Sequence, residues 1–170
     1  MTEHPRLLLP GATYFFTVRL EQRGSTLLTD HVDALRFAYA KAVAEFPVTC
    51  HAMVVLPDHL HAVWTEPAGE VWYSERWRRI KTRFAQGGVP PAPDRHRHDR
   101  TREHGLWQQR FSEYAIRGEV DFRLAMEHCR MNAVKHGLVT DPDLWPFSSF
   151  TKSRKLPQNA VRANSQPAMV

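Results

Sequence analysis

Residues 54–64 constrain the fold of this chain more than any other stretch. A short apolar run is followed by Pro57-Asp58, typical of a turn, and then by His-Leu-His-Ala-Val-Trp at 59–64. Because side chains alternate between the faces of a strand, His59 and His61 point one way and the residues between and after them point toward a core. Two imidazoles about 7 Å apart can hold one divalent metal ion, so the pair is a candidate reaction centre on the exposed face of a sheet. The alternative is two surface histidines on a half-buried strand.

Composition indicates one domain with a substantial core. The chain has 170 residues, of which 42% are hydrophobic. No apolar run approaches the length of a membrane span, and the N-terminus lacks the apolar region of a signal peptide. Cys50 and Cys129 lack C-x-x-C spacing, which predicts no disulfide scaffold and a reducing, cytoplasmic location.

The charge balance favours an acidic partner. Lys plus Arg number 23 against 18 Asp plus Glu, giving a formal net charge of +5 and a pI near 9.6. Arginine predominates, and its planar guanidinium makes bidentate contacts with phosphate that lysine cannot make. A polyanion such as nucleic acid is the partner that this balance favours.

The hydrophobic periodicities predict an α+β domain. We expect strands over 12–20, 48–56, 59–66 and 107–116, and helices over about 31–46, 71–86 and 119–136. The first six elements follow the split βαβ, or ferredoxin-like, order, an antiparallel sheet with helices on one face. The other face would then be free for nucleic acid. We expect the domain to span 6–151, with a loop over 87–105 and a polar C-terminal tail over 152–170.

The third predicted helix carries a polar stripe beside its core stripe. Phe122, Met126, Cys129 and Ala133 repeat at helical spacing and form the core stripe. His128, Asn132 and His136 stand at i, i+4 and i+8 on a neighbouring stripe. These groups could complete a metal site begun by the strand histidines; the alternative is a solvated helix face.

Several short segments give the chain a resemblance to a known family. They are Leu8-Leu9-Pro10-Gly11-Ala-Thr-Tyr14-Phe15, Val55-Leu56-Pro57-Asp58-His59-Leu60-His61, Tyr73-Ser74-x-Arg76-Trp77-x-x-Ile80-Lys81, Trp107-Gln108-x-Arg110-Phe111, Asn132-x-Val134-Lys135-His136-Gly137 and Trp145-Pro146-x-Ser148-Ser149-Phe150. In this order they resemble the REP-associated tyrosine transposases, which are HUH enzymes of single-stranded DNA, U being a bulky apolar residue. The resemblance covers roughly residues 6–151.

The resemblance implies metal-dependent DNA nicking and strand transfer. In the family the HUH histidines hold Mg²⁺ or Mn²⁺ against the scissile phosphate. A helix-borne tyrosine attacks, leaving a 5′-phosphotyrosine and a free 3′-hydroxyl, and the reverse step joins strands. By position, His59, His61 and Asn132 are the implied metal ligands. The implied partner is single-stranded or hairpin DNA with a palindromic repeat, and family members are monomers or homodimers.

The chain departs from the family where the nucleophile should be. The family tyrosine lies four residues before the asparagine, and His128 stands there. Three interpretations follow. The protein is a degenerate, domesticated DNA-binding protein without cleavage activity; or His128 is itself the nucleophile or activates water; or a tyrosine on a neighbouring strand attacks. Tyr14 is preferred over Tyr114 for that role because the first strand should lie beside the third; the alternative for Tyr14 is an aromatic residue of the core or one that stacks on DNA.

Basic residues outside the histidine pair are candidate DNA contacts. The second predicted helix interleaves aromatic residues with arginines, which are either phosphate contacts or a solvated face. With the resemblance, the implied contacts are Arg76, Arg79, Lys81, Arg83, Arg110, Lys135 and His136. His96, His98 and His104 belong to an arginine-rich loop that we expect to contact phosphate rather than metal.

One further function remains open on the sequence alone. An unrelated metal-dependent hydrolase of small phosphoesters could also use a His-x-His pair. Asp58 is the one carboxylate near the pair that could act as a general base, and the arginine excess argues against this alternative.

Overall fold

A computed structural model describes residues 8–90 and 105–151. Its elements are β1 (Thr13–Arg19), α1 (Leu27–Asp30), α2 (Val32–Glu45), β2 (Thr49–Val55), β3 (His59–Thr65), α3 (Tyr73–Gln86), β4 (Ser112–Ala115) and α4 (Glu119–Lys135). The predicted elements are all present, with α1 as an additional short turn of helix. Segment 91–104, with its three histidines, and the predicted tail over 152–170 lie outside the described residues.

The four strands form one antiparallel sheet in the order β2-β3-β1-β4. The predicted ferredoxin-like α+β class is confirmed. β1 and β3 pair over their whole length, which places Thr17 opposite His61 and Arg19 opposite His59. The fourth strand is shorter than predicted, because residue 107 makes only an isolated bridge to Leu20 before the chain turns away.

The main core fills the sheet face covered by α2 and α3. β1 and β3 send their alternate residues into it, including Phe16, Leu60 and Trp64. Trp77 of α3 stacks on Trp64 with ring centroids 4.2 Å apart. Aromatic burial of this size supplies much of the free energy that folds a domain, so this face is fixed firmly by packing.

The sequence predicted that the opposite face of the sheet would be free. In the structure α4 packs across part of it. Cys129 and Ala133 of α4 are buried against Ala52, Val54 and Val63. The predicted core stripe of this helix therefore does form a core, but on the second side of the sheet.

The segment after α4 returns to the edge of the sheet. The Phe147 carbonyl accepts a hydrogen bond from the Val55 N–H at 2.9 Å, and the Ser149 N–H donates to the Met53 carbonyl at 2.9 Å. The Trp145 indole N–H also donates to the Val55 carbonyl. This segment satisfies backbone groups along an edge strand that would otherwise be open. No helix in 8–90 or 105–151 is long and apolar enough to cross a membrane.

Candidate functional site

His59 and His61 lie side by side on β3, on the face that carries α4. Their ring centroids are 5.1 Å apart. The strand alternation predicted this shared face, since Leu60, Ala62 and Trp64 enter the opposite core. The predicted exposure was wrong: the two side chains are only 5% and 4% exposed because α4 crosses above them.

Each strand histidine is anchored through Nδ1. Nδ1 of His59 lies 2.6 Å from Oδ1 of Asp58, and Nδ1 of His61 lies 2.9 Å from Oγ1 of Thr17. A carboxylate only accepts hydrogen bonds, so Nδ1 of His59 carries the proton and Nε2 keeps its lone pair. Asp58 thereby holds this imidazole in the tautomer that a metal ligand requires.

The polar stripe of α4 meets the strand pair as the helical spacing predicted. The His128 ring lies 4.7 Å from that of His61, and the His136 ring lies 5.0 Å from that of His59. Nδ2 of Asn132 donates to Nε2 of His128 at 2.9 Å. Asn132 is buried, whereas His136 is exposed at the helix end.

Glycine at 137 fixes where this end of α4 stops. Gly137 adopts a φ of 68°, a conformation that glycine reaches without strain. The Gly137 N–H donates to the Val134 carbonyl and the Leu138 N–H to the Ala133 carbonyl, the pattern of a Schellman cap. The helix therefore ends directly beside the start of β3, which keeps Lys135 and His136 at the rim of the site.

Burial keeps the imidazoles uncharged. Burial, reinforced by neighbouring His128 and His59, lowers the pKa of His61 to about 3. Burial also lowers the pKa of His59, although Asp58 opposes it, and burial together with Lys135 lowers the pKa of His128. For Asp58 itself, burial raises the pKa, but hydrogen bonds from His59 and from the Gly24 N–H outweigh this and leave it lowered. Neutral imidazoles with available nitrogen lone pairs are the form that binds metals.

The donor set at this position suits a divalent metal ion. Within the described ranges, no group of three or more His, Cys, Asp and Glu side chains is arranged as a metal site. Two imidazoles and an amide oxygen are nevertheless present. Oδ1 of Asn132 is buried and has no hydrogen-bond partner among the described residues. A buried oxygen without a partner is unfavourable, and a bound cation would satisfy it. His59, His61 and Asn132 therefore fit the ligand set that the family resemblance implies.

Tyr14 does not reach this site, so its assignment as a nucleophile was wrong. β1 does lie beside β3, as predicted, but Tyr14 pairs with Trp64 and enters the α2–α3 core, where it is 1% exposed. Its hydroxyl donates to the Leu9 carbonyl. Tyr114 pairs with Phe15 and so shares the face of the histidines, but its hydroxyl donates to Asp121 at 3.0 Å.

Two predicted DNA contacts on α3 are interior residues. Arg76 is fully buried and forms an ion pair with Glu66 at 2.7 Å, while its other donors reach the Phe46 and Pro47 carbonyls. Lys81 is 3% exposed, and its ammonium donates to the Gln108 carbonyl. Neither group can meet a phosphate, because α3 turns these positions toward the core.

The other predicted contacts lie on two different sides of the molecule. Arg79 and Arg83 form ion pairs with Glu45, on the side of the sheet opposite the histidines. Lys135 and His136 are exposed at the end of α4, beside His59. Arg110 is exposed just before β4. DNA contact by these five residues remains a prediction.

Sequence reasoning missed Phe15, Thr17 and Arg19, which share the histidine face. Phe15 stacks on His61 with ring centroids 5.3 Å apart and meets the edge of His128 at 5.2 Å. The alternation of the first strand already predicts that residues 13, 15, 17 and 19 share the face opposite its core positions. That this face is the one with His59 and His61 follows only from the pairing of the strand with β3.

The chain is similar to known proteins over most of its length. It is 40% identical over 151 residues to the REP-associated tyrosine transposase of Escherichia coli, a match covering 88% of this chain and 83% of that relative. It is 34% identical over 157 residues to a candidate REP-associated tyrosine transposase of Haemophilus influenzae, covering 91% and 89%. A solved structure of a REP-associated tyrosine transposase bound to a REP hairpin matches with a TM-score of 0.77 at 40% identity, over 88% of this chain and 83% of that chain. No protein-family model matches the chain.

Proposed function

The chain belongs to the REP-associated tyrosine transposase family, and from that premise we propose that it binds hairpin DNA with a single-stranded flank. The observation that carries the proposal is the buried pair His59–His61 packed against the polar stripe of α4. A relative with 40% identity is bound to a REP hairpin, which supports the same partner class here.

In this proposal the two strand histidines and Asn132 hold Mg²⁺ or Mn²⁺. The ion, when bound, would supply Lewis acidity at a phosphate oxygen. The protein's own contribution is orientation: Asp58 and Thr17 fix the two imidazole rings, and Asn132 on α4 is hydrogen-bonded to His128, whose ring contacts that of His61. Exposed Lys135 and His136 at the rim would attract the phosphate backbone.

We further propose that binding occurs without a covalent phosphotyrosine. His128 occupies the helix position of the family nucleophile, and its Nε2 accepts a hydrogen bond from Asn132. α4 contains no tyrosine. Tyr14 is buried on the other side of the sheet, and Tyr114 is tied to Asp121. The domesticated, non-cleaving DNA-binding protein is thus the function that the geometry favours.

A second candidate keeps the family's nicking and strand-transfer activity and gives His128 the catalytic role. The observation that favours it is the contact between the His128 and His61 rings at 4.7 Å. A neutral imidazole can attack phosphorus or take a proton from water. This candidate requires cleavage that depends on His128.

Binding and cleavage can be measured on the same fluorescently labelled hairpin with a single-stranded flank. We expect anisotropy to report binding that weakens with salt, and denaturing gels to show intact DNA in Mn²⁺. Cleavage that is lost in His128→Ala would establish the second candidate instead. Absence of any hairpin binding at low salt would contradict the proposed function, and metal-dependent turnover of small phosphoesters in that case would favour the hydrolase alternative.

A further inference from the structure

A polar cavity of about 270 Å³ opens beside His59, which forms part of its wall, whereas His61 and Asn132 do not line it. Its walls come from the end of β1, the loop after it, the start of β3, the segment before β4 and the end of α4. The lining residues used below are Arg19, Arg23, Asp58, His59, Gln108 and His136. At this volume the cavity lies just below the usual range of about 300–1,000 Å³ for pockets of drug-sized ligands, so it suits one phosphate with its sugar.

Arg19 is placed in this cavity by the strand register. Its Cα pairs directly with that of His59 across the β1–β3 ladder, so the two side chains lie on the same face. Directly opposed side chains have Cβ atoms about 4.5–5.5 Å apart. Arg19 is exposed, and neither it nor Arg23 forms an ion pair with any residue in 8–90 or 105–151. By contrast, Arg79 and Arg83 on the opposite side are both paired.

Asp58, the one carboxylate that described residues contribute to the wall, does not cancel this charge. Oδ1 of Asp58 contacts Nδ1 of His59, and Oδ2 accepts the Gly24 N–H at 2.9 Å. Both oxygens are therefore engaged, and two guanidiniums face one carboxylate. The hydrogen bond to Gly24 also ties the loop that carries Arg23 to the residue that orients His59.

The wall formed by the segment before β4 is held rigidly from the interior. The Gln108 N–H donates to the Arg19 carbonyl at 3.0 Å, and its own carbonyl accepts the buried Lys81 ammonium at 2.8 Å. The backbone of Gln108 is thereby fixed from both sides. A cavity with an amide side chain, a rigid rim and two guanidiniums that have no ion-pair partner among the described residues is suited to an anion with several oxygens.

We propose that this cavity binds a backbone phosphate of the single-stranded flank, adjacent to the phosphate held at His59 and His61. The proposal rests on the proposed function and deepens it, because it gives the flank its own site. Arg19 and Arg23 are then binding residues for the strand that enters the reaction centre.

The test compares two labelled DNAs, a blunt hairpin and the same hairpin with a single-stranded flank of about six nucleotides, within the usual site sizes of about 4–16. We expect Arg19→Gln and Arg23→Gln each to weaken binding of the flanked hairpin about tenfold and to leave the blunt hairpin unchanged. Each should also reduce the salt slope by about 0.7, the contribution of one phosphate on a single strand. Arg36→Gln, which replaces an exposed arginine of α2 that is paired with Asp33, is the control and should change neither. Thermal melts establish that all variants are folded.

The outcomes separate the two proposals. If wild-type protein binds the flanked hairpin and both cavity variants bind it equally well, the cavity assignment is wrong and the proposed function stands. If wild-type protein binds neither hairpin, the proposed function fails, and the oligonucleotide (dT)6 tests the cavity alone. Loss of (dT)6 binding in Arg19→Gln and Arg23→Gln would support the cavity, whereas undetectable binding by wild-type protein would overturn it.

Discussion

Arg76 carries a charge into the interior and is balanced there by a single carboxylate. Both partners of the Arg76–Glu66 pair have fully buried side chains. We expect Arg76→Met to lower the free energy of unfolding by about 3–5 kcal/mol, because Glu66 is left buried without its partner. Urea titration measures this change. At matched fraction folded, hairpin affinity should be unchanged, because Arg76 does not reach the surface.

Arg78→Met is the matched control for that measurement. Arg78 lies two positions further along α3 and forms its ion pair with Glu75 at the surface. Exposed pairs contribute between about 0 and 1 kcal/mol, so this variant should unfold nearly as wild type does. Equal losses in the two variants would contradict a specific role for the buried pair.

His61 makes stability depend on pH. Burial and neighbouring imidazoles lower its pKa from 6.5 to about 3 in the folded state. The folded state therefore binds fewer protons than the unfolded state, and the free energy of unfolding must fall as the pH drops from about 6.5 toward 3. In metal-free buffer, urea midpoints between about pH 7.5 and pH 4.5 should decline less steeply in His61→Gln than in wild type. Parallel profiles would contradict this assignment.

At the scale of elements, periodicity predicts which residues share a face but not which faces meet. The two-residue period of β3 placed His59 and His61 together, and the helical period of α4 placed His128, Asn132 and His136 together. Tyr14 was wrongly expected to reach the histidines, because the face of β1 that they share follows from the register of β1 with β3. Register depends on pairing between distant segments, which one strand's own sequence does not contain.

α4 offers a direct test of the role of residue 128. We expect His128→Tyr to form a covalent protein–DNA adduct in Mn²⁺, because the residue 128 ring already meets His61 at 4.7 Å. The adduct should survive denaturing electrophoresis and map to residue 128, while wild type gives none. His128→Phe is the control, with a similar ring and no hydroxyl. An unreactive His128→Tyr variant that still binds hairpin DNA would show that a tyrosine at position 128 is not sufficient for cleavage.

At the scale of the whole molecule, element order alone was enough to predict the ferredoxin-like sheet. Four strands with two crossing helices leave few arrangements that are antiparallel and bury one apolar face. The sequence did not predict that α4 would cover part of the second face or that residues 145–149 would return along β2. Both depend on contacts between segments far apart in the chain, such as the Trp145 indole with the Val55 carbonyl. The histidines are therefore buried rather than exposed.

The sheet divides the basic residues of the molecule into two sets with different expected roles. Arg79 and Arg83 are paired with Glu45 on the α3 side, whereas Lys135 is exposed beside the histidine cluster. We expect Lys135→Gln to weaken hairpin binding about three- to tenfold and to reduce the salt slope, since it removes one phosphate contact. The double variant Arg79→Gln, Arg83→Gln removes twice the charge and should leave affinity within about twofold, because those charges are already neutralised locally. Anisotropy titrations at several salt concentrations compare the two. A larger loss in the α3 double variant would place the DNA on the opposite side of the sheet and would contradict binding at the histidine face.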